Sequence, residues 1–224
     1  GVAADMEMVS GALVIGATVK SQLMGEARQL SGLDNPNSIK QLAQWLTDAT
    51  DSDAEITSVT KETVATMLKQ PQPANVQRML EIRQELGKTS TKKYDALETC
   101  IADDGRVRGL LQFYGANRTG RWAGRLVQVQ NLPRTYTHPL PPARQLVKDR
   151  NIDGLRLMYG SINDTLSQLI RTAFVATPGN VLIDADFSAI EARVISWLAG
   201  QEWRLEVFRT HGKIYEASAS QMFH

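Results

Sequence analysis

A change of pattern at residues 103–105 divides the chain and constrains its fold more than any other sequence feature. Before this Asp-Asp-Gly turn, apolar residues recur every three to four positions, which is typical of amphipathic helices. After it, the segment 107–114 is short, apolar and aromatic, as β-strands are, and a glycine- and arginine-rich loop follows. The pattern predicts an α+β fold, with a helical region at residues 1–104 and a sheet-containing region at residues 105–224.

Polar residues mark where several helices of the first region begin and end. Asn37 or Ser38 is suited to cap one helix, and Thr60 to cap another, because their side chains accept bonds from free backbone N–H groups. Gly87 is a helix-stop signal. A further helix is predicted to begin at Ser90.

The second region ends in a predicted strand followed directly by a helix. The apolar run at 180–186 indicates a buried strand, and the helix is expected over 188–199. Ser188 and Glu191 have the spacing of a capping box. Extended chain is also predicted at 126–129. The last helical pattern reaches the final residue without a stop signal, so we expect the natural protein to continue.

Composition excludes several classes of protein. The chain is 42% hydrophobic and 22% charged, as ordinary globular proteins are. It contains no run of about 18 apolar residues, so no membrane helix is expected. Cys100 is the single cysteine, which excludes an internal disulfide and a cysteine-based zinc site. A reducing, cytoplasmic location is the expectation.

Positive charge is concentrated in one stretch, although the formal net charge is only +1. Between Gly105 and Lys148 there are eight basic residues and no acidic residue. Most of them are arginine, which suits bidentate phosphate contacts. The stretch predicts a polyanion-binding surface, and a solvated loop with a chance bias is the alternative interpretation.

Two aspartates near the end of the predicted strand are candidate metal ligands. A buried, unpaired carboxylate costs several kcal/mol, and a divalent cation is one way to offset that cost. Mg²⁺ is held by one or two carboxylates together with substrate phosphates. Asp186 is the first candidate and Asp184 the second, whereas Ser188 and Glu191 have helix capping as an alternative role.

The segment 186–193, D-F-S-A-I-E-A-R, resembles motif A of family A (DNA polymerase I-like) DNA polymerases, usually written D-Y-S-Q-I-E-L-R. A second block, T-G-R-W at 119–122 followed by V-Q-N-L-P-R at 129–134, resembles the family's segment that lines the minor groove near the primer end. N-S-I-K-Q-L at 37–42 is similar to the start of the family's thumb. The G-R-W triplet and Y-E-A-S-A-S at 215–220 favour the phage-type branch.

This resemblance implies a helical thumb over 1–104 and a partial palm, with an antiparallel sheet, over 105–224. It implies template-directed addition of deoxynucleoside triphosphates (dNTPs) to a primer 3′ end, with two Mg²⁺ ions. Asp186 and the carbonyl of Phe187 would bind metal, and Glu191 would exclude a ribose 2′-hydroxyl. The residues implied to contact the nucleotide are Phe187, Ser188, Glu191 and Tyr215. Those implied to contact primer-template DNA are Arg118, Arg121, Gln130, Asn131 and Arg193.

The family also needs a fingers helix and a second metal carboxylate, and this sequence matches neither. We therefore expect the chain to be a fragment that needs the remainder of the polymerase and does not polymerise alone. Three alternatives stay open: a non-catalytic nucleic-acid-binding module, a different metal-dependent phosphoryl-transfer enzyme that uses Asp184, and a structural interaction domain.

Overall fold

The computed structural model describes residues 1–50, 56–87 and 92–223. The chain folds as two compact units, Gly1–Asn180 and Val181–His224. Among the described residues, no helix is both long enough and apolar enough to cross a membrane. The boundary predicted at residue 104 separates a thumb from a palm. The division into compact units does not test it, so it stays a prediction.

The first unit combines helices with short strands. Its helices are α1 (Met6–Ser31), α2 (Ile39–Ala49), α3 (Lys61–Met67), α4 (Ala74–Leu86), α5 (Lys92–Cys100), α6 (Leu140–Lys148), α7 (Ile152–Tyr159) and α8 (Ile162–Leu169). Its strands are β1 (Val2–Ala4), β2 (Arg106–Val107), β3 (Leu111–Ala116), β4 (Arg121–Gly124) and β5 (Phe174–Val175). Two 3₁₀ turns span Val129–Asn131 and Ile170–Ala173. The second unit contains α9 (Ile190–Leu198), α10 (Glu202–Thr210) and α11 (Ile214–Phe223).

The strands form two small antiparallel sheets. The first has the order β2-β1-β5, with Val2 opposite Val107 and Ala4 opposite Phe174. The second is the hairpin of β3 and β4. The predicted α+β class with an antiparallel sheet is therefore confirmed.

Helix α1 contributes to both hydrophobic clusters of the first unit. It has 26 residues, so it is about 39 Å long at 1.5 Å per residue. Its first half buries Met8, Ile15 and neighbouring side chains against α5, α6 and α8, in the cluster that also contains Val107. Its last turns bury Ala27 in a second cluster with α2, α3 and α4. Leu23 packs against both clusters.

Gly11 lets α1 approach α6 at backbone contact. A Cβ atom at this position would overlap the carbonyl oxygen of Val147 and lie 2.9 Å from its carbonyl carbon. Interiors are packed closely, and backbone cannot move aside as a flexible side chain can. Gly25 lies on the same helix, and nothing lies within 4 Å of a Cβ placed there.

Several local signals act as predicted. The hydroxyl of Ser38 caps α2 by accepting from the N–H of Gln41, and Thr60 caps α3 through the N–H of Thr63. Gly87 follows the last residue of α4. The predicted helix start at Ser90 lies outside the described residues.

Four local predictions are wrong. The glycine- and arginine-rich segment after residue 114, predicted as a loop, contains strand β4 (Arg121–Gly124). The segment 180–186 is exposed, irregular chain rather than a buried strand. The segment 126–129 is a turn, in which Leu126 and Gln128 have positive φ angles, rather than extended chain. Helix α9 begins at Ile190 after Ala189, and no side chain caps it, so Ser188 is not its N-cap.

Asp5 ties the start of α1 to α6. One carboxylate oxygen accepts from the N–H of Met8 at 3.2 Å. The other accepts from Arg144 Nη2 at 2.6 Å and pairs with Lys148 Nζ at 2.9 Å. Burial opposes ionisation of the carboxyl, but the bonds from Lys148 and Met8 and the charge of Arg144 outweigh it, so the pKa of Asp5 lies below its ordinary value of 3.8.

We expect Asp5→Asn to lower the free energy of unfolding by about 1 kcal/mol at pH 7, because asparagine still caps the helix but loses the ion pairs. Folding lowers the pKa, so the ionised carboxylate contributes fully above pH 3.8 and loses its contribution as pH falls through the folded value. Urea unfolding of both proteins at pH 7 and pH 3 measures this. An equal difference at both pH values would contradict the electrostatic cause.

Candidate nucleic-acid interface and carboxylate segment

The T-G-R block forms the turn and second strand of the β3–β4 hairpin. Gln112 pairs with Ala123 and Ala116 with Arg121, so the register shifts between the two pairs and leaves extra residues on β3. The N–H groups of Thr119 and Gly120 both donate to the carbonyl of Ala116, which closes the turn. The fold therefore presents Arg121 at a fixed place beside the turn.

Gly120 is required by this turn for two reasons. Its φ angle is +65°, in the region that favours glycine. A Cβ atom there would also lie 2.8 Å from Cε2 of Tyr114, because that ring covers the glycine. Tyr114 itself has a positive φ of 51° at the irregular part of β3. The bulge and the glycine together shape the surface around Arg121.

The basic stretch predicted from sequence separates into two sets and Arg106, which donates to the carbonyl of Gly1 at 2.9 Å. Arg108 pairs with Asp104, and Arg144 and Lys148 pair with Asp5. These three cations therefore have protein carboxylates beside them, and Arg144 and Lys148 join α6 to the start of α1. The other set is exposed to solvent on the hairpin and the segment that follows it, namely Arg118, Arg121, Arg125 and Arg134, and its binding of a polyanion stays a prediction.

Buried residues anchor the Q-N block, and its polar side chains are exposed to solvent. Val127 and Leu132 are buried in the main cluster, whereas Gln130 and Asn131 between them are exposed. The Asn131 side chain donates to Oε1 of Gln128 at 3.1 Å.

Two cations fix the backbone on either side of this block. Lys93 Nζ donates to the carbonyl of Val127 at 2.9 Å, and Arg171 Nη2 donates to the carbonyl of Leu132 at 2.7 Å. The sequence did not predict these two contacts of Lys93 and Arg171. No local signal identifies them, since their partners lie 34 and 39 residues away.

A direct contact brings the two blocks together. The Gln130 side chain occupies the space where Gly124 has no side chain, and a Cβ atom there would lie 2.5 Å from Cδ of Gln130. Gly124 ends the strand that begins with Arg121. The contact therefore brings Gln130 to the end of the strand that carries Arg121. We call the exposed polar residues of the two blocks the arginine hairpin surface: Arg118, Arg121, Gln130 and Asn131.

The carboxylate segment belongs to the second compact unit. Asp184 and Asp186 are both exposed on irregular chain, as is Phe187, which is 78% exposed. The expectation that burial would favour a metal at Asp186 is therefore wrong for this structure, because an exposed carboxylate carries little desolvation cost. Asp186 is still an accessible oxygen ligand.

Arg193 joins the carboxylate segment to α10. Its Nε donates to the carbonyl of Ser188 at 2.8 Å, and its guanidinium lies 4.5 Å from the ring centroid of Phe208. Phe208 is buried, and a cation over an aromatic face is attractive. Arg193 therefore holds the turn after Asp186, a contact that sequence analysis did not predict. Its predicted contact with DNA stays a prediction.

The other predicted nucleotide contacts are exposed in the same unit. Glu191 lies in the first turn of α9, and Tyr215 lies in the first turn of α11 with 90% of its side chain exposed. The structure places them in the second unit and the arginine hairpin surface in the first.

The carboxylate segment is suited to be part of a magnesium site. In the described parts of the chain, no three His, Cys, Asp or Glu side chains lie close enough to hold a metal ion. Mg²⁺ accepts one or two carboxylates and takes its remaining oxygens from water and substrate phosphates. Asp186 and the Phe187 carbonyl fit part of that set and leave the rest to other donors.

Comparison with known proteins agrees with these features. The model of the family "DNA polymerase family A" matches residues 16–224. The DNA polymerase of Bacillus phage SP02 is 52% identical over 223 residues, which is 100% of this chain and 34% of the phage protein. The chain thus spans about a third of that relative.

More distant relatives match shorter parts. DNA polymerase I A of Arabidopsis thaliana chloroplasts and mitochondria is 31% identical over 120 residues, or 54% of this chain and 9% of the plant protein. The thermostable DNA polymerase I of Thermus thermophilus is 44% identical over 62 residues, or 28% of this chain and 8% of the bacterial protein. The predicted resemblance, including its phage-type character, is confirmed. The chain therefore belongs to DNA polymerase family A.

Proposed function

We propose that this chain supplies the primer-template-binding surface and one metal-binding carboxylate of a DNA-directed DNA polymerase. The contact between Gln130 and Gly124 carries the proposal, because it places the Q-N block at the end of the strand that begins with Arg121 of the T-G-R block. Family membership supports DNA and dNTPs as the substrates.

The arginine hairpin surface is suited to bind duplex DNA without regard to sequence. Every base pair presents acceptors in the minor groove, and arginine and the side-chain amides of Gln130 and Asn131 can donate to them. Arg118 adds positive charge for the phosphate backbone. The buried anchors Val127 and Leu132 hold the backbone of this block in place, so little backbone ordering is needed when DNA binds.

The second unit would contribute to nucleotide addition. Asp186 and the carbonyl of Phe187 would hold Mg²⁺, which when bound neutralises charge on the triphosphate and activates the primer hydroxyl. Glu191 would exclude a ribose 2′-hydroxyl, and Ser188 and Tyr215 would contact the nucleotide. Arg193 would keep the turn in place through its bond to the Ser188 carbonyl.

We propose that the 224 residues bind primer-template DNA but need the remainder of the polymerase for catalysis. Two-metal phosphoryl transfer requires more carboxylate ligands than Asp186 alone. Addition of dNTPs and Mg²⁺ to the bound complex should leave the primer at its original length.

Fluorescence anisotropy with a labelled primer-template tests the binding proposal. We expect Arg121→Ala to weaken binding about tenfold and to flatten the dependence of affinity on salt concentration, because an arginine contact and its counterion release are lost. Arg156→Ala, a half-exposed arginine on α7, is the matched control and should change neither. Arg121→Lys should retain the salt slope but not the full affinity. An unchanged slope in Arg121→Ala would contradict a role in DNA binding.

A further inference from the structure

One face of the β3–β4 hairpin carries aromatic rings that point into solvent. Phe113 is 72% exposed and Trp122 is 61% exposed. Their ring centroids lie 5.2 Å apart in an edge-to-face arrangement at 71°. Tyr114 continues this group, 6.4 Å from Phe113 and 57% exposed. Large aromatic side chains exposed together are typical of a binding surface.

The same face leads to Gln130 of the arginine hairpin surface. Leu111 pairs with Gly124 and Gln112 with Ala123, and the next residues along the two strands, Phe113 and Trp122, have their rings in contact. Alternate residues of a strand share a face, so Trp122 and Gly124 point the same way. The Gln130 side chain lies on Gly124 and therefore borders the aromatic pair.

The charge around the rings favours a polyanion. The hairpin bears Arg118 at its turn, Arg121 next to Trp122 and Arg125 directly after β4. No Asp or Glu occurs between Gly105 and Lys148. Positive charge combined with exposed aromatic rings is the arrangement that binds single-stranded nucleic acid, because each unpaired base offers a ring face for stacking.

We propose that Phe113 and Trp122 stack on unpaired template nucleotides next to the duplex that the arginine hairpin surface binds. The inference rests on the proposed function and adds to it a site for the single-stranded part of the template. A blunt duplex leaves only the outer face of its terminal base pair uncovered, whereas every unpaired nucleotide of an overhang offers a ring face, so the rings should favour the overhang over the blunt end.

Two labelled DNAs with the same duplex, one with a 5′ template overhang and one blunt, test the proposal with the intact 224-residue chain. We expect the wild type to bind the overhang substrate at least fivefold more tightly. Phe113→Ala and Trp122→Ala should bind both DNAs with the affinity of the blunt duplex. Trp122→Phe retains a ring and should keep most of the preference. Tyr136→Ala removes an exposed aromatic side chain outside the hairpin and is the matched control.

The outcomes separate this inference from the proposed function. If the wild type binds neither DNA, the proposed function is contradicted. If it binds both equally, or if the alanine variants lose affinity for both alike, the duplex is bound and the stacking site is refuted. The proposal would also be refuted if the wild type self-associates and the alanine variants do not, while DNA binding is unchanged. The rings would then bind a second copy of the chain. Quenching of tryptophan emission by the overhang substrate that disappears in Trp122→Phe would support stacking directly.

Discussion

Asp186→Ala is expected to lower the rate of primer extension about a thousandfold or more. The test protein is a chimera in which this chain replaces the matching third of the phage SP02 DNA polymerase. A metal ion contributes several kcal/mol of charge stabilisation to phosphoryl transfer, and removal of its carboxylate ligand forfeits that contribution. The chimera is feasible because the two sequences are 52% identical over 223 residues. Extension of a labelled primer by dNTPs and Mg²⁺ is the measurement.

Asp184→Ala is the matched control for this prediction. Asp184 is exposed on the same irregular segment, two residues before Asp186. The Asp184→Ala chimera should extend primers at nearly the rate of the unmutated chimera. If Asp184→Ala is inactive and Asp186→Ala is active, the metal carboxylate is Asp184. If both variants retain activity, the segment does not bind the catalytic metal.

Gly11→Ala is expected to lower the free energy of unfolding by about 3 kcal/mol, at the upper end of the range for overpacked sites. The added methyl would overlap the Val147 carbonyl, so α1 and α6 must move apart or the backbone must distort. The loss opposes the gain of up to about 1 kcal/mol that alanine brings over glycine within a helix. Urea or thermal unfolding monitored by circular dichroism measures the difference.

Gly25→Ala on the same helix should have the opposite sign. Nothing lies within 4 Å of a Cβ atom at Gly25, so only the helix propensity changes and stability should rise by about 0.5–1 kcal/mol. Equal effects of the two substitutions would show that α1 and α6 tolerate separation, and that the close approach at Gly11 is not essential to packing.

Local signals in the sequence predicted those parts of the fold that local physics decides. Ser38 and Thr60 cap their helices because each cap needs only an N–H three residues ahead. The predicted strand at 180–186 depends instead on partner strands, and it is irregular in the described structure. Extended chain is stable only when neighbouring strands satisfy its backbone groups, and an apolar run cannot reveal whether they are present.

The candidate site shows the same division. The T-G-R and Q-N blocks were recognisable from their residues, but their contact through Gly124 required the three-dimensional structure. Charge counting placed Arg144 in the polyanion surface, whereas it pairs with Asp5, which is 139 residues away. Which cations pair with distant carboxylates is therefore a property of the fold and not of the composition.

Helix α1 packs in both hydrophobic clusters, which limits how the protein can be divided into fragments. A proteolytic or recombinant piece that ends near residue 104 would keep α1 but lose α6 and α8, which cover Met8 and Ile15. The exposed apolar stripe would favour aggregation of such a piece. The complementary piece, without α1, would lose the helix that those elements pack against. Gly1–Asn180 is accordingly the smallest part of the first unit that should be produced for separate study.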